Sequence, residues 1–127
     1  MPQFMTLPPD GNNPPYTFTA YGDTHVCVNA IRHDINIIVM KDRLIPAWTQ
    51  NRFASLTIED MEMLAPLNAE VILFGTGRQL RFPPAELMRP LALAGKVLDV
   101  MDIHAACRTY NLLSCEGRSV AAVLLFD

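Results

Sequence analysis

Period-two alternation dominates the first half of the chain. Tyr16, Phe18 and Ala20 alternate with Thr17, Thr19 and Tyr21, and Val26 and Val28 with His25, Cys27 and Asn29. Ile35, Ile37 and Val39 form a further apolar series. Successive side chains of a strand point to opposite faces, so this spacing predicts strands. Lys41-Asp42-Arg43 reads as a polar turn leading into Leu44 and Ile45. Such runs, broken by short turns, imply antiparallel neighbours.

The second half changes period. Thr57 followed by Asp60 has the Ser/Thr-x-x-acid form of a helix start, and Ile58, Met61, Leu64 and Ala65 then share one helical face. Pro66 should end that helix. Residues 71–74 are a short apolar strand, broken by Gly75-Thr76-Gly77. Pro83-Pro84 can open a helix with Leu87, Leu91 and Ala94 inward and Gly95 as its stop; Pro90 should kink or restart it. Residues 97–101 form the next strand. Asp102 is a good N-cap for a helix whose apolar face is Ile103, Ala106, Cys107, Tyr110 and Leu113, ending at Gly117. Residues 119–126 form a last strand. Strand–helix–strand–helix–strand with short links implies parallel neighbours joined by right-handed crossovers. The expected fold is α/β: one domain with a central mixed, mostly parallel sheet, its helices, and an antiparallel β-rich N-terminal half.

Length agrees with one domain, since 127 residues can bury a core without disulfides or metal. Residues 1–15 hold Pro2, Pro8, Pro9, Pro14 and Pro15 around Asp10-Gly11-Asn12-Asn13, and are expected to be a flexible arm before a domain over residues 16–127. The formal net charge of −3 does not attract phosphate backbones over distance, so nucleic acid is not an expected partner. Three cysteines without a C-x-x-C pair fit reduced thiols. The start of the chain lacks a signal-peptide pattern, and its longest apolar run, residues 120–126, is too short to span a bilayer. These features point to a cytoplasmic protein, and docking on a membrane complex remains compatible with them.

Three constellations could carry chemistry. Gly75-Thr76-Gly77-Arg78 follows a strand, and glycine turns can aim backbone N–H groups at an anion, with Arg78 and Arg81 adding charge. The turn lacks the lysine of a P-loop, and Leu80 stands where a dinucleotide fingerprint needs its third glycine, so a tight strand-end turn is the simpler reading. Cys107-Arg108-Thr109-Tyr110-Asn111 lies on the last helix, where Arg108 and Asn111 should share an exposed side and Cys107 and Tyr110 an apolar one. His104, three residues before Cys107, could approach it, although cysteine is more often core than nucleophile. Asp99, Asp102 and His104 form an acidic group with too few partners for a metal site, and no cofactor is implied. Open α/β sheets bind ligands beyond the carboxyl ends of their strands. If the strands before Gly75 and Asp102 are neighbours, Arg78, Arg108 and Asn111 should converge on one pocket.

The run Val-Ile-Leu-Phe over residues 71–74, followed by Gly75-Thr76-Gly77-Arg78, a proline-led helix, Val100-Met101-Asp102 and residues 105–111, resembles the Mth-type domain family. Its eukaryotic relatives include the mitochondrial respiratory complex I assembly factor three and an adipogenesis-associated protein. The resemblance, over about residues 16–126, implies a three-layer α/β fold and largely uncharacterised bacterial members with no agreed activity. It carries over the motif residues Gly75, Thr76, Gly77, Arg78, Arg108, Thr109, Tyr110 and Asn111 as a site for a ligand or partner. The functional expectation is a non-catalytic interaction or assembly module, with complex I subunits as candidate partners. The alternative is a binding protein or enzyme for an anionic metabolite, using residues 75–78 and Arg108. An unpaired strand edge could also pair across a homodimer.

Overall fold

A computed structural model describes residues 14–127 of the chain, so the expected arm over residues 1–15 lies outside the described residues except for Pro14 and Pro15. Two of the alternating N-terminal segments form β1 (Phe18–Tyr21) and β2 (Val26–Val28); with β3 (Ile31–His33), which the pattern did not single out, they make a three-stranded antiparallel sheet. Asn29 and Ala30 join β2 to β3 with φ of 47° and 71°. Two consecutive positive φ angles give the turn a twist that matches paired strands. Asn29 also accepts the Thr17 N–H on its side-chain oxygen at 2.9 Å, which fixes the approach of β1.

The larger sheet has the order β5-β4-β8-β6-β7. β4 (Ile37–Met40) and β5 (Leu44–Pro46) are the hairpin around residues 41–43. β6 (Val71–Gly75), β7 (Val97–Met101) and β8 (Val120–Leu124) are parallel to one another. β8 also pairs antiparallel with β4, so it joins the parallel half of the sheet to the antiparallel half. β4, β6 and β8 are buried along their whole length, which explains why they read as apolar runs rather than as alternation.

Three helices complete the layers: α1 (Ile58–Glu62), α2 (Ala85–Leu93) and α3 (Ile103–Cys115). Period two divides the sheet side chains between two cores. Ile37, Val39, Leu73, Ala122 and Leu124 face Ile103, Ala106, Cys107 and Tyr110 of α3, with Phe18, Val26 and Val28 of the small sheet. Ile38, Ile72, Phe74, Ala121 and Val123 face Met61 and Leu64 after the start of α1 and Leu91 of α2. The result is three layers with the larger sheet in the middle, as the family resemblance implied.

The helix ends follow their local chemistry. Thr57 and Asp60 form the capping box of α1, and the Asp102 carboxylate accepts the Ala105 N–H at the start of α3. Gly117 follows α3 at φ 80°, with its own N–H on Ser114 O and that of Arg118 on Leu113 O. This is the paired-bond stop that only glycine adopts without strain. Four expectations are corrected. Ile35 is 47% exposed and lies outside the strands, and Ala94 is exposed at the C-cap of α2 rather than inward. Ile58 is 43% exposed rather than part of the buried face of α1, because it sits in the first turn of a short helix. Pro90 does not restart α2, which runs as one element through it. Proline deprives the Glu86 carbonyl of its helical partner, and Glu86 is exposed to solvent in the first turn.

Candidate functional site

The carboxyl ends of β6, β7 and β8 lie side by side, with Gly75 paired to Met101 on one flank and to Leu124 on the other. The chain leaves β6 through α2 on one face and leaves β7 through α3 on the opposite face. Connections that depart to opposite faces open a crevice beyond the strand ends. An open cleft of about 950 Å³ occupies this position.

The glycine turn forms one wall, and its two glycines do different jobs. A Cβ at Gly75 would lie 2.8 Å from Leu124 Cδ2 and 3.3 Å from Ala106 Cβ, so glycine there lets α3 pack onto the sheet. Gly77 has φ 97°, a left-handed conformation, and its carbonyl accepts the Ile103 N–H at 2.9 Å. Between them Thr76 is fully buried. Its N–H donates to Met101 O at 2.9 Å. Its hydroxyl donates to Gln79 O at 2.7 Å and accepts the Arg81 N–H at 3.0 Å. The turn is thus knotted to β7 and α3, and several of its backbone groups are already satisfied.

Arg81 is the pivot of the site. Its Nη2 donates to Thr76 O and to Asp127 Oδ1, both at 2.6 Å, and its Nε donates to Thr76 O at 3.2 Å. Its guanidinium lies 4.7 Å from the centre of the Phe53 ring, a cation–π arrangement. The second Asp127 oxygen accepts the Arg78 N–H at 3.2 Å. A Cβ at Gly77 would collide with this carboxylate. The Arg81–Asp127 pair is 37% and 44% exposed, so it adds about 1 kcal/mol or less to stability. Its importance is positional, because a carboxylate sits where the turn and Arg81 present their donors.

Residues 52–54 also line the cleft, on a segment fixed by two hubs, the half-buried Asn36 amide and the buried Asp60 carboxyl. Asn36 donates to Thr49 O and Asn51 O, each at 3.0 Å, and accepts the Phe126 N–H at 2.8 Å, one residue before Asp127. Asp60 accepts from Asn51 Nδ2 at 2.7 Å, Thr49 Oγ1 at 2.9 Å and the Thr57 N–H at 3.1 Å. Burial pushes the Asp60 carboxyl up, but these hydrogen bonds outweigh burial and hold its pKa below the ordinary value.

Arg52, Arg78, Arg81 and Arg108 line the cleft, against Asp23, Asp102 and Asp127. Four positive and three negative groups leave a net charge of +1 in a chain whose total is −3. Among the described residues, Arg52, Arg78 and Arg108 make no ion pair. No three His, Cys, Asp or Glu side chains among those residues come together in a way that could hold a metal ion.

The second motif divides. Arg108 is exposed at the cleft, whereas Tyr110 and Asn111 face the small sheet. Tyr110 is fully buried, packs edge-on against Phe18 at 5.2 Å and donates its hydroxyl to Tyr16 O at 2.8 Å. Asn111 donates to Phe18 O at 2.8 Å and accepts the Phe18 N–H at 2.9 Å. The expected convergence of Arg78, Arg108 and Asn111 is therefore corrected: Asn111 replaces a missing strand partner for β1 and does not reach the cleft. Thr109 is half-buried and also outside the cleft lining.

The two members of the candidate reactive pair face different surroundings. Cys107 is fully buried in the core under α3, and burial pushes its thiol up to about 12. His104 lines the cleft, but its Nε2 lies 2.9 Å from Gly22 O. A carbonyl oxygen only accepts, so Nε2 carries the hydrogen and this bond holds the ring beside Tyr21, at 5.1 Å. The arrangement supplies cations and oriented donors.

Residues 18–125 match the family described as Protein of unknown function (DUF498/DUF598). The chain belongs to that family. Among solved structures, a crystal structure of a Bordetella parapertussis protein is 37% identical with a TM-score of 0.83, covering 91% of this chain and 99% of that one. A solution structure of a Bordetella pertussis protein, described as a Mth938-like domain, is 32% identical with a TM-score of 0.76, covering 95% of this chain and 92% of its own. The Mth-type resemblance and the α/β fold are thus both shown. Among curated proteins, the 13 kDa major membrane protein of Francisella tularensis is 29% identical, covering 95% of this chain and 99% of its own length. NADH dehydrogenase [ubiquinone] 1 alpha subcomplex assembly factor 3 of Danio rerio is 31% identical over 61% of this DUF498/DUF598 chain and 46% of its own. The chain therefore spans less than half the length of that assembly factor. No described helix is long and apolar enough to cross a membrane.

Arg52, Phe53 and Asp127 were not legible as site residues. Arg81 and Asp127 stand 46 positions apart, and nothing in the spacing of either points to the other. The usable signal was the rule that strand carboxyl ends gather a site, which located Gly77 and Asp102.

Proposed function

We propose that this member of the family is a non-catalytic interaction module that docks a protein partner in the arginine-lined cleft. The observation that carries the reading is the set of three cleft arginines, Arg52, Arg78 and Arg108, which make no ion pair among the described residues. The inward-facing Cys107, with its raised pKa, supports a role without covalent chemistry. The name of the Danio rerio relative suggests assembly of a respiratory or other membrane-associated complex, with complex I subunits as the partners to test first. The name of the Francisella relative is compatible with peripheral attachment to such a complex from the cytoplasm.

The test is crosslinked affinity purification from the native cell, comparing the wild type with Arg78→Ala, Arg108→Ala. Both side chains are exposed, so the double variant should stay folded. Stoichiometric recovery of complex I subunits by the wild type alone supports docking through the cleft. Equal recovery by both proteins moves the interface elsewhere, and recovery of no specific partner removes the reading. A second reading, binding of a small anionic metabolite, is favoured by the carboxylate already seated on Arg81. It would show as saturable binding of that metabolite, abolished by Arg81→Lys.

A further inference from the structure

The cleft holds an anion seat that this chain fills with its own side chain. Asp127 places one oxygen 2.6 Å from Arg81 Nη2 and the other 3.2 Å from the Arg78 N–H. The seat is built independently of its occupant. Thr76 O anchors Arg81 through both Nη2 and Nε, the Phe53 ring supports the guanidinium plane, and Gly77 leaves room that any Cβ would take. Such a donor set needs no rearrangement to receive another carboxylate, so an incoming one is spared the cost of ordering it. The present occupant is half-exposed and held by a solvent-accessible ion pair, which is weak.

We propose that Asp127 is an internal stand-in for a carboxylate from an acidic segment of a partner protein, which displaces Asp127 from Arg81 and binds along the cleft. This rests on the reading that the cleft is a docking surface, and names the chemistry that docks there. Two observations select an acidic peptide. The seat presents two donors to two oxygens, a match for a carboxylate. Arg78, Arg108 and Arg52, which make no ion pair among the described residues, lie around an open cleft rather than in one tight pocket, so they suit charges spaced along a chain. Asp23 and Asp102 in the same lining, and the net charge of −3, disfavour the dense charge of a nucleic acid backbone.

Displacement has a measurable consequence. A ligand that binds only when the seat is vacant has its apparent dissociation constant raised by the reciprocal of the vacant fraction. If Asp127 occupies the seat about nine-tenths of the time, removing its charge tightens an acidic ligand about tenfold. The experiment is fluorescence anisotropy on the full chain with a labelled hexapeptide alternating glycine and glutamate, and with its glutamine counterpart. Asp127→Asn and Asp127→Ala should both bind the glutamate peptide about tenfold more tightly than the wild type. The glutamine peptide should bind none of them, and adding Arg81→Lys should abolish the gain. Near-ultraviolet dichroism of Trp48, which donates to Leu124 O at the end of β8, reports that each variant keeps its fold.

Unchanged or weaker binding of the glutamate peptide by folded Asp127 variants overturns the proposal, as does equal tightening for the glutamine peptide. Saturable binding of inorganic phosphate by a protein that ignores the glutamate peptide also overturns it, and assigns the seat to phosphate. The two readings fail separately. If purification finds no partner that depends on Arg78 and Arg108 while Asp127→Asn still tightens the peptide through Arg81, docking falls and the carboxylate seat stands. If a partner depends on those arginines but Asp127 has no effect on the peptide, docking stands and the stand-in falls.

Discussion

Residues 75–78 and 108–111 are both short polar segments beside an element boundary, yet the fold gives them different work. The first, with Arg81, borders the cleft and holds a half-exposed carboxylate. The second contributes only Arg108 there; Tyr110 and Asn111 point the other way and tie β1 to α3 through hydrogen bonds to Tyr16 and Phe18. The clamp is largely buried and its groups have partners, so its effect is on stability. The cleft is open and three of its cations make no ion pair among the described residues, so its effect is on binding. A pair of arginine-containing motifs is therefore a poor unit of function, because helical geometry sends adjacent residues to different surroundings.

The comparison breaks most severely at Tyr110. Tyr110→Ala empties a fully buried site and strands the Tyr16 carbonyl, and should cost about 3–5 kcal/mol in urea unfolding. A cost below about 1 kcal/mol would mean that the clamp does not hold the layers together. Asn111→Ala removes both bonds to Phe18 and should cost about 1–3 kcal/mol, with hydrogen exchange accelerated first in β1. Uniform acceleration over the whole chain would contradict a local tether.

Acid should act on the cleft wall rather than the clamp. Asp60 has a depressed pKa in the folded state, so its contribution is fully present above the unfolded carboxylate value of about 4. That contribution is lost as pH falls through the lowered folded value. Asp60→Asn should flatten this acid limb in a pH series of urea midpoints, and an unchanged limb would assign it to other carboxyls. The smallest expected effect is that of Arg78→Ala, Arg108→Ala, within about 0.5 kcal/mol of the wild type in stability. A larger loss would show that the cleft arginines are structural, and would erase the contrast.

Local chemistry alone determined much of this protein. Period-two runs gave β1 and β2, short apolar runs gave the buried strands, the capping box at Thr57 and Asp60 and the N-cap at Asp102 gave two helix starts, and Gly95 and Gly117 gave two stops. Each depends on residues within a few positions, which is the range over which backbone hydrogen bonds and side-chain direction act. The gathering of β6 and β7 ends followed from the short crossover between them. What the tertiary structure decided was which side chains meet. Arg81 reaches Asp127 because β8 inserts beside β6, and Asn111 turns to Phe18 because β1 lacks a strand partner there. Those contacts join residues 46 and 93 positions apart. At that separation, position in the packed layers, and no local preference, sets which donor finds which acceptor.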